Sequence, residues 1–415
     1  MKKYLIILTS FFIAFFLLPN NQSIATENII SNPSDIIVRY QSEQSIEKIA
    51  DDFSVAKSQV KKIHDLNIYQ IEDSNICSND QCKRLDRNLP IEYIESNLQT
   101  KALMTPNDTY IGSQWSFGKI SAISAWDIGT GSNSVKIAIL DTGIDGTHED
   151  LLGRIIAGHN YINDTAIAAN SDSDDQGHGT SIAGVVAANT NNSLGIAALD
   201  WNAQIMPVKV LNSSGSGTIA QLVNGINYAV NNGAKIINLS LGSTGHSEAL
   251  EQAINDAHTR GVLVIASTGN ENTEIGYPAR YSHVLAVGAS NSNDDRWENS
   301  NYGSEIDIVA PGVQILTTVD EGGYSYATGT SISAPFASAL AGLIWAKNPG
   351  LTNNEIITLI RDHADKVSSM GDANWNQYYG YGRINYYQTL NSYNDYNCAW
   401  YNQSAYPTLI RGQAN

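Results

Sequence analysis

The chain has 415 residues, 42% of them hydrophobic and 16% charged, which suits a globular protein of one large domain plus a smaller segment. With 24 Lys and Arg against 41 Asp and Glu, the formal net charge is −17. An acidic surface argues against nucleic acid as a partner and is compatible with bound cations. The three cysteines, Cys77, Cys82 and Cys398, make no Cys/His pattern for zinc.

The N-terminus reads "MKKYLIILTSFFIAFFLLPNNQSIATEN". Two lysines precede an apolar run broken by Pro19, and small residues stand at Ser23 and Ala25. This is a secretory signal peptide over 1–25, with cleavage expected after Ala25, so the protein is expected to be extracellular. The alternative is an uncleaved anchor. No later stretch is apolar and long enough to span a bilayer.

Residues 26–104 hold 9 Lys and Arg and 13 Asp and Glu. Residues 105–415 carry a net −15 and all the glycines, so the composition shifts near "QTKALMTPND". Within 26–104, "DIIVRY" reads as a strand and "SIEKIADDF" as a short helix. "IHDLNIYQIE" and "PIEYIESN" read as further strands. The segment is a small α+β unit, too small to be very stable alone. In an exported protein, Cys77 and Cys82 of "ICSNDQCK" can close a small disulfide loop. Cys398 is left over, free or paired between molecules.

From about 115 onward, strands alternate with helical patterns. "SVKIAILD" (134–141) is a β-branched run ending in Asp141. "GTSIAGVVAAN" (179–189) is helical and "QIMPVKVL" (204–211) a strand. "TIAQLVNGINYAVNNG" (218–233) is an amphipathic helix with a glycine stop, followed by the strand "AKIINLSLG" (234–242). "EALEQAINDAHTRG" (248–261) is a helix and "VLVIAS" (262–267) a strand. "FASALAGLIWAKNPG" reads as a buried, Ala-rich helix ended by Pro-Gly. Such alternation implies an α/β fold, a doubly wound, mostly parallel sheet covered on both faces. The last 25 residues, 391–415, are polar and aromatic and carry no assignable role.

In a doubly wound sheet, ligands bind beyond the carboxyl ends of the strands. Four segments bear chemistry there. Asp141 ends a strand in "DTGID". His178 stands between two glycines at a helix start in "DDQGHGTSIAG", where small neighbours leave an imidazole face open. Asn270 ends a third strand in "VIASTGN", where its amide can donate to an oxyanion. Ser331 of "ATGTSISAP" sits at the N-terminus of the Ala-rich helix, as a cap or as a nucleophile near the positive end of the dipole. Alone, each has an ordinary reading as a turn, cap or surface residue. Together they supply a hydroxyl, an imidazole to take its proton, a carboxylate to fix the tautomer, and a donor for the tetrahedral intermediate.

With these segments in this order, the chain resembles the subtilisin-like serine proteases (subtilases) over roughly 105–390. The resemblance extends through "SAWDIGTGSNSVKIAILDTGID", "GHGT", "TNNSLGIA", "PVKVLNSSGSGT", "NLSLGS", "GNEN", "YPARY", "YGSEIDIVAPG" and "GTSISAP". It implies a serine endopeptidase with Ser331 as nucleophile, His178 as general base and Asp141 as orienting carboxylate. Asn270 and the Ser331 N–H would form the oxyanion hole.

Substrate would add as a β-strand between Ser240–Leu241–Gly242 and Gly215–Ser216–Gly217. Ser267–Thr268–Gly269 and Gly276 would form the walls and base of the primary specificity pocket, roomy enough for large apolar or varied side chains. Tyr277–Pro278 matches a position that is cis in relatives. Segment 26–104 is similar to the family's inhibitory propeptide, implying a zymogen that autocleaves within 101–104, with polypeptides and its own propeptide as partners. A monomer is expected.

The resemblance also implies structural Ca2+. Asp108 and Asp150 would supply carboxylates, Asn192 its side-chain oxygen, and Asn189, Leu194 and Ile196 their carbonyls, the all-oxygen set calcium prefers. The acidic loop "NSDSDDQ" (170–176) reads equally as a second calcium loop or a solvated one. Two departures from the family stand out. Ser181 occupies a position where relatives usually carry His. Ile332 follows the nucleophile where relatives usually carry an oxidisable Met.

Rival readings fare worse. An α/β-hydrolase esterase needs G-x-S-x-G, and "GTSIS" lacks the final glycine. "GTGSNS" (129–134) is not G-x-G-x-x-G and precedes its strand, which sets aside a nucleotide site. A non-catalytic binding protein would be expected to have lost one of the catalytic residues, and all are present.

Overall fold

The computed structural model describes residues 35–63, 66–72, 77–78, 81–82, 89–97 and 105–395. The signal segment, the stretch 98–104 with the expected cleavage bond, and Cys398 lie outside them. The chain divides into two compact units, Met1–Thr100 and Lys101–Asn415.

In the first unit, β1 (Ile36–Tyr40), α1 (Ile46–Phe53), β2 (Val60–Ile63) and β3 (Ile68–Ile71) precede a two-residue pair, β4 (Cys77–Ser78) and β5 (Gln81–Cys82), and then β6 (Ile91–Ser96). The main sheet has order β2-β3-β1-β6 and its pairs are antiparallel. Strand β1 alternates buried and half-buried residues. Its Ile36, Val38 and Tyr40 meet Ile49, Ala50 and Phe53 of α1, the amphipathic match that holds so small a layer together. Backbone pairing sets Cys77 opposite Cys82.

The second unit begins with the short helices α2 (Ser116–Lys119) and α3 (Ala122–Trp126). Strand β7 (Lys136–Asp141), the small antiparallel pair β8 (Gly158–Asn160) and β9 (Thr165–Ile167), and α4 (His178–Ala187) follow. Next come β10 (Gln204–Lys209), α5 (Ile219–Asn231), β11 (Ile236–Leu239), α6 (Glu248–Thr259), β12 (Leu263–Ser267), β13 (Val284–Ser290) and β14 (Ile308–Pro311). The hairpin β15 (Ile315–Thr318) and β16 (Tyr324–Ala327) leads into α7 (Thr330–Lys347), α8 (Asn353–Asp362) and α9 (Tyr386–Asp395). The boundary expected at 390 falls inside α9, where Leu390 and Ser392 are buried.

The eight-stranded sheet runs β14-β13-β12-β11-β7-β10-β8-β9, parallel except for the final β8–β9 pair. Alternate residues of β7 feed two separate cores. Ile137 and Ile139 join the core under α4 and α7, while Ala138 and Leu140 join the one under α5 and α6. A sheet buried on both faces explains why its strands read as continuous apolar runs. The order reverses around β7, so the carboxyl end of β7 opens onto the switch point where such folds bind ligands.

Candidate active site

Asp141 is the last residue of β7 and fully buried. Its Oδ1 accepts from the Thr142 N–H at 2.7 Å and from His178 Nδ1 at 2.8 Å. A carboxylate only accepts, so Nδ1 carries the proton and Nε2 is left as the basic nitrogen. His178 is the first residue of α4, behind Gly177 at a φ of 94°. Asp174 holds that helix start by accepting from Gln176 N, Gly177 N, Thr180 N and Thr180 Oγ1. Burial pulls the His178 pKa down. The charge and hydrogen bond of Asp141, with the charge of Asp174, outweigh it and raise the pKa above the usual 6.5.

Ser331 is the second residue of α7, so the capping position belongs to Gly329. Within the first turn its N–H has no intrahelical partner, as an oxyanion donor requires. Four residues on, Pro335 has no N–H to give the Ser331 carbonyl. That carbonyl accepts instead from Ser240 Oγ at 2.7 Å, and Ser240 Oγ in turn accepts from Asn238 Nδ2 at 2.9 Å. The turn that carries Ser331 is thereby tied to the end of β11. Helices α4 and α7 pack together, and His178 lines the same cleft as Ser240, whose hydroxyl reaches the Ser331 carbonyl. No hydrogen bond joins Ser331 Oγ to His178 among the described residues; such bonds commonly tighten only with substrate.

Asn270 lies three residues past the end of β12, in a loop. Its Oδ1 accepts from Thr330 N at 2.9 Å and Thr330 Oγ1 at 2.8 Å, leaving its amide nitrogen to donate elsewhere. A Cβ on Gly329 would meet Ser331 Oγ at 3.1 Å and Asn270 Nδ2 at 3.5 Å, so hydroxyl and amide flank one point. Thr330 stands in the quoted motif, but nothing in the sequence signals that its side chain orients Asn270.

A cleft of about 750 Å³ opens beside His178, lined by Gly215–Gly217, Ser240–Gly242, Ile219, Leu222 and Leu250 among others. Neither 215–217 nor 240–242 belongs to a regular strand; 215–217 is exposed, whereas Ser240 is buried, Leu241 half-buried and Gly242 exposed. The walls expected at Ser267 and Thr268 are buried. Gly276 needs to be glycine for packing as well as space, since a Cβ there would lie 2.8 Å from the Ser243 carbonyl. The Tyr277–Pro278 peptide is cis, as expected. Ser181 Oγ donates to Gly177 O and Thr318 O, so this serine braces α4 against the β15–β16 hairpin.

Asp108 and Asp150 are buried and converge on the loop 189–196. Asp108 accepts from Asn191 N, and Asp150 from Ile196 N and Asn192 Nδ2. Asn192 Oδ1 accepts from Leu194 N. Burial, then the charge of Asp150, pushes the Asp108 pKa up against its backbone hydrogen bonds. A Cβ on Gly195 would fall 2.1 Å from Asp150 Oδ2. Two buried carboxylates, with the Tyr324 hydroxyl beside Asp150 and Gly195 and no Lys or Arg ion pair to either among the described residues, fit a hard dication. In the loop 170–176, Asp174 is spent on α4. Burial, then the charges of Asp145, Asp174 and Glu321, raise the Asp172 pKa.

Among the described residues no helix is long and apolar enough to cross a membrane. The subtilase family model matches residues 132–382. The chain is 42% identical to thermitase of Thermoactinomyces vulgaris over 288 residues, 69% of this chain and 99% of that protein. It is 40% identical over 310 residues to the thermophilic serine proteinase of Bacillus sp. strain AK1, covering 74% of this chain and 75% of the relative. A solved protease structure from Pseudoalteromonas arctica PAMC 21717 superposes with a TM-score of 0.64 at 30% identity, over 70% of this chain and 99% of that one. The chain belongs to the subtilase family and is a serine endopeptidase of the subtilisin type.

Proposed function

We propose that the protein is a secreted, calcium-stabilised endopeptidase made as an autoprocessed zymogen, working through an acyl-enzyme on Ser331. The observation that carries the assignment is the 2.8 Å His178–Asp141 bond at the carboxyl edge of the sheet, on a helix packed against the one that begins with Ser331. Ser331 Oγ attacks the scissile carbonyl carbon as His178 Nε2 takes its proton. Asn270 Nδ2 and the Ser331 N–H receive the oxyanion. The intermediate collapses with cleavage of the C–N bond, and His178 returns the proton to the leaving amine. Water then repeats the sequence on the acyl-enzyme. Asp141 holds the tautomer throughout.

Substrate lies extended between 215–217 and 240–242, with its P1 side chain against Ser267–Gly269 and Gly276. The pocket floor has no side chain, which supports broad specificity with a preference for large apolar P1 residues. Asp108, Asp150, Asn192 and the carbonyls of Asn189, Leu194 and Ile196 would hold a calcium ion, whose charge would offset the two carboxylates. Segment 26–104 acts as propeptide after removal of 1–25, and the chain works as a monomer.

The test compares wild type with Ser331→Ala on casein, reading fluorophosphonate labelling and intact mass with and without EGTA. Labelling at Ser331, cleavage of casein and loss of the first ~100 residues, all absent in the variant, are expected. A folded wild type that neither labels nor matures would overturn the proposal, as would a Ser331→Ala protein that matures in isolation.

A further inference from the structure

We propose that Asn301 is a positioning residue for the oxyanion donor Asn270, acting through Glu271; this rests on the role given to Asn270 above. The loop 269–273 ("GNENT") is in no regular strand or helix, so its backbone polar groups must find partners one at a time. Asn301, buried at 2% exposure and thirty residues further on, supplies several of them. Its Oδ1 accepts from Glu271 N at 3.0 Å and from Thr273 N at 3.1 Å. Its Nδ2 donates to Glu271 Oε2 at 2.8 Å, and its backbone N–H to Gly269 O at 2.9 Å.

Glu271 Oε2 is the link to the donor. The same oxygen accepts the backbone N–H of Asn270 at 2.8 Å. Asn270 is thereby held at two points: its backbone through Glu271 to Asn301, and its side-chain oxygen by Thr330. Only glycine fits beside this knot. A Cβ on Gly269 would lie 2.3 Å from Asn301 Nδ2 and 2.8 Å from Glu271 Oε2. An oxyanion donor works only at hydrogen-bond distance from an oxygen that moves as the carbonyl becomes tetrahedral, so a small drift of the loop removes its benefit.

A residue that merely folds the loop would alter stability and substrate affinity together. A positioning residue loses its effect once the group it positions is gone. The experiment is a double-mutant cycle on the matured enzyme, produced from the full chain, with active sites counted by burst titration and turnover read on an uncharged peptide anilide. Asn301→Ala is expected to lower kcat by roughly 10–100-fold with KM held within about threefold, and to add little in an Asn270→Ala background.

Glu271→Ala repeats the test from an exposed side chain, should Asn301→Ala fail to fold, and Glu271→Gln, which keeps an acceptor oxygen, stays near wild type. Independent, multiplicative losses from Asn270→Ala and from Asn301→Ala or Glu271→Ala would overturn the proposal. So would an unchanged kcat, or losses carried by KM. If Asn270→Ala alone leaves kcat intact, it is the oxyanion reading that falls.

Discussion

Thr330 grips the side-chain oxygen of Asn270 twice, with its backbone N–H at 2.9 Å and its hydroxyl at 2.8 Å. On the proposed mechanism, the residue just before Ser331 thus decides which end of the Asn270 amide faces the reacting carbonyl. Asn270→Leu should cost roughly 10²–10³ in kcat with little change in KM. Thr330→Val keeps one of the two hydrogen bonds and should cost about fivefold. Steady-state kinetics on one peptide substrate compares them, and equal losses would mean that Thr330 does more than orient the amide.

The pH profile of kcat/KM should rise as His178 loses its proton, with a midpoint above the ordinary imidazole value because Asp141 and Asp174 favour the charged ring. Asp174→Asn removes one of those charges while keeping an acceptor for the start of α4. Its acid limb should therefore move to lower pH. Asp141→Asn should lower kcat by about 10⁴ through the wrong tautomer. An unshifted limb in Asp174→Asn would leave that residue a purely structural part.

Asp200 is fully buried beneath α7, with Oδ1 accepting from Asn202 N and Ala203 N and no hydrogen-bond partner at Oδ2. Burial pushes its pKa from 3.8 up to about 7, against those hydrogen bonds and the charge of Arg154. The folded state therefore binds a proton that the unfolded chain has released. Its contribution to stability is present in full below about pH 4 and is lost as pH rises through about 7. Asp200→Asn should raise Tm relative to wild type, by a gap that opens between those limits and is constant above. Calorimetry across that range checks it, and a pH-independent gap would refute it.

Calcium removal should lower Tm sharply. At a thousandfold excess over Kd, a ligand bound only by the folded state contributes about 4 kcal/mol. In Asp150→Asn the response to EGTA should largely disappear, since half of the buried carboxylate pair is gone. Thermal melts of both proteins with and without EGTA test this. An equal response in the two would move the ion elsewhere.

Ile332 follows the proposed nucleophile Ser331 and is buried, and Met206 and Met370 are buried as well. Peroxide should spare the activity of the wild type, while Ile332→Met should become sensitive through sulfoxide formation beside the oxyanion hole. Loss of wild-type activity at matched dose, without unfolding, would sink the idea.

Much of this architecture was legible from local pattern. The apolar run into Asp141 and the helices at 219–231 and 248–259 announce themselves by periodicity, capping and glycine stops. Helix α7 is legible as an apolar run, though it starts at Thr330, so that Ser331 lies inside its first turn and not at its cap. Strands β13 and β14 carry no distinguishing local signature, because short apolar runs between polar loops resemble buried helix fragments as much as strands. The candidate catalytic residues were readable because each sits in a glycine-rich turn. Thr330, Ser240 and Asn301 acquire their roles only from contacts 60, 91 and 30 residues away, and no local periodicity records those.

In the proposed binding mode, substrate pairs with the exposed turn 215–217 and the partly buried segment 240–242 that line the cleft, and a chain doing so must itself be unpaired. A peptide bond inside an intact helix or sheet has already committed its N–H and C=O groups. Attack on compact proteins will therefore be rationed by how often the victim frays, so that its digestion pattern charts local opening more than residue preference.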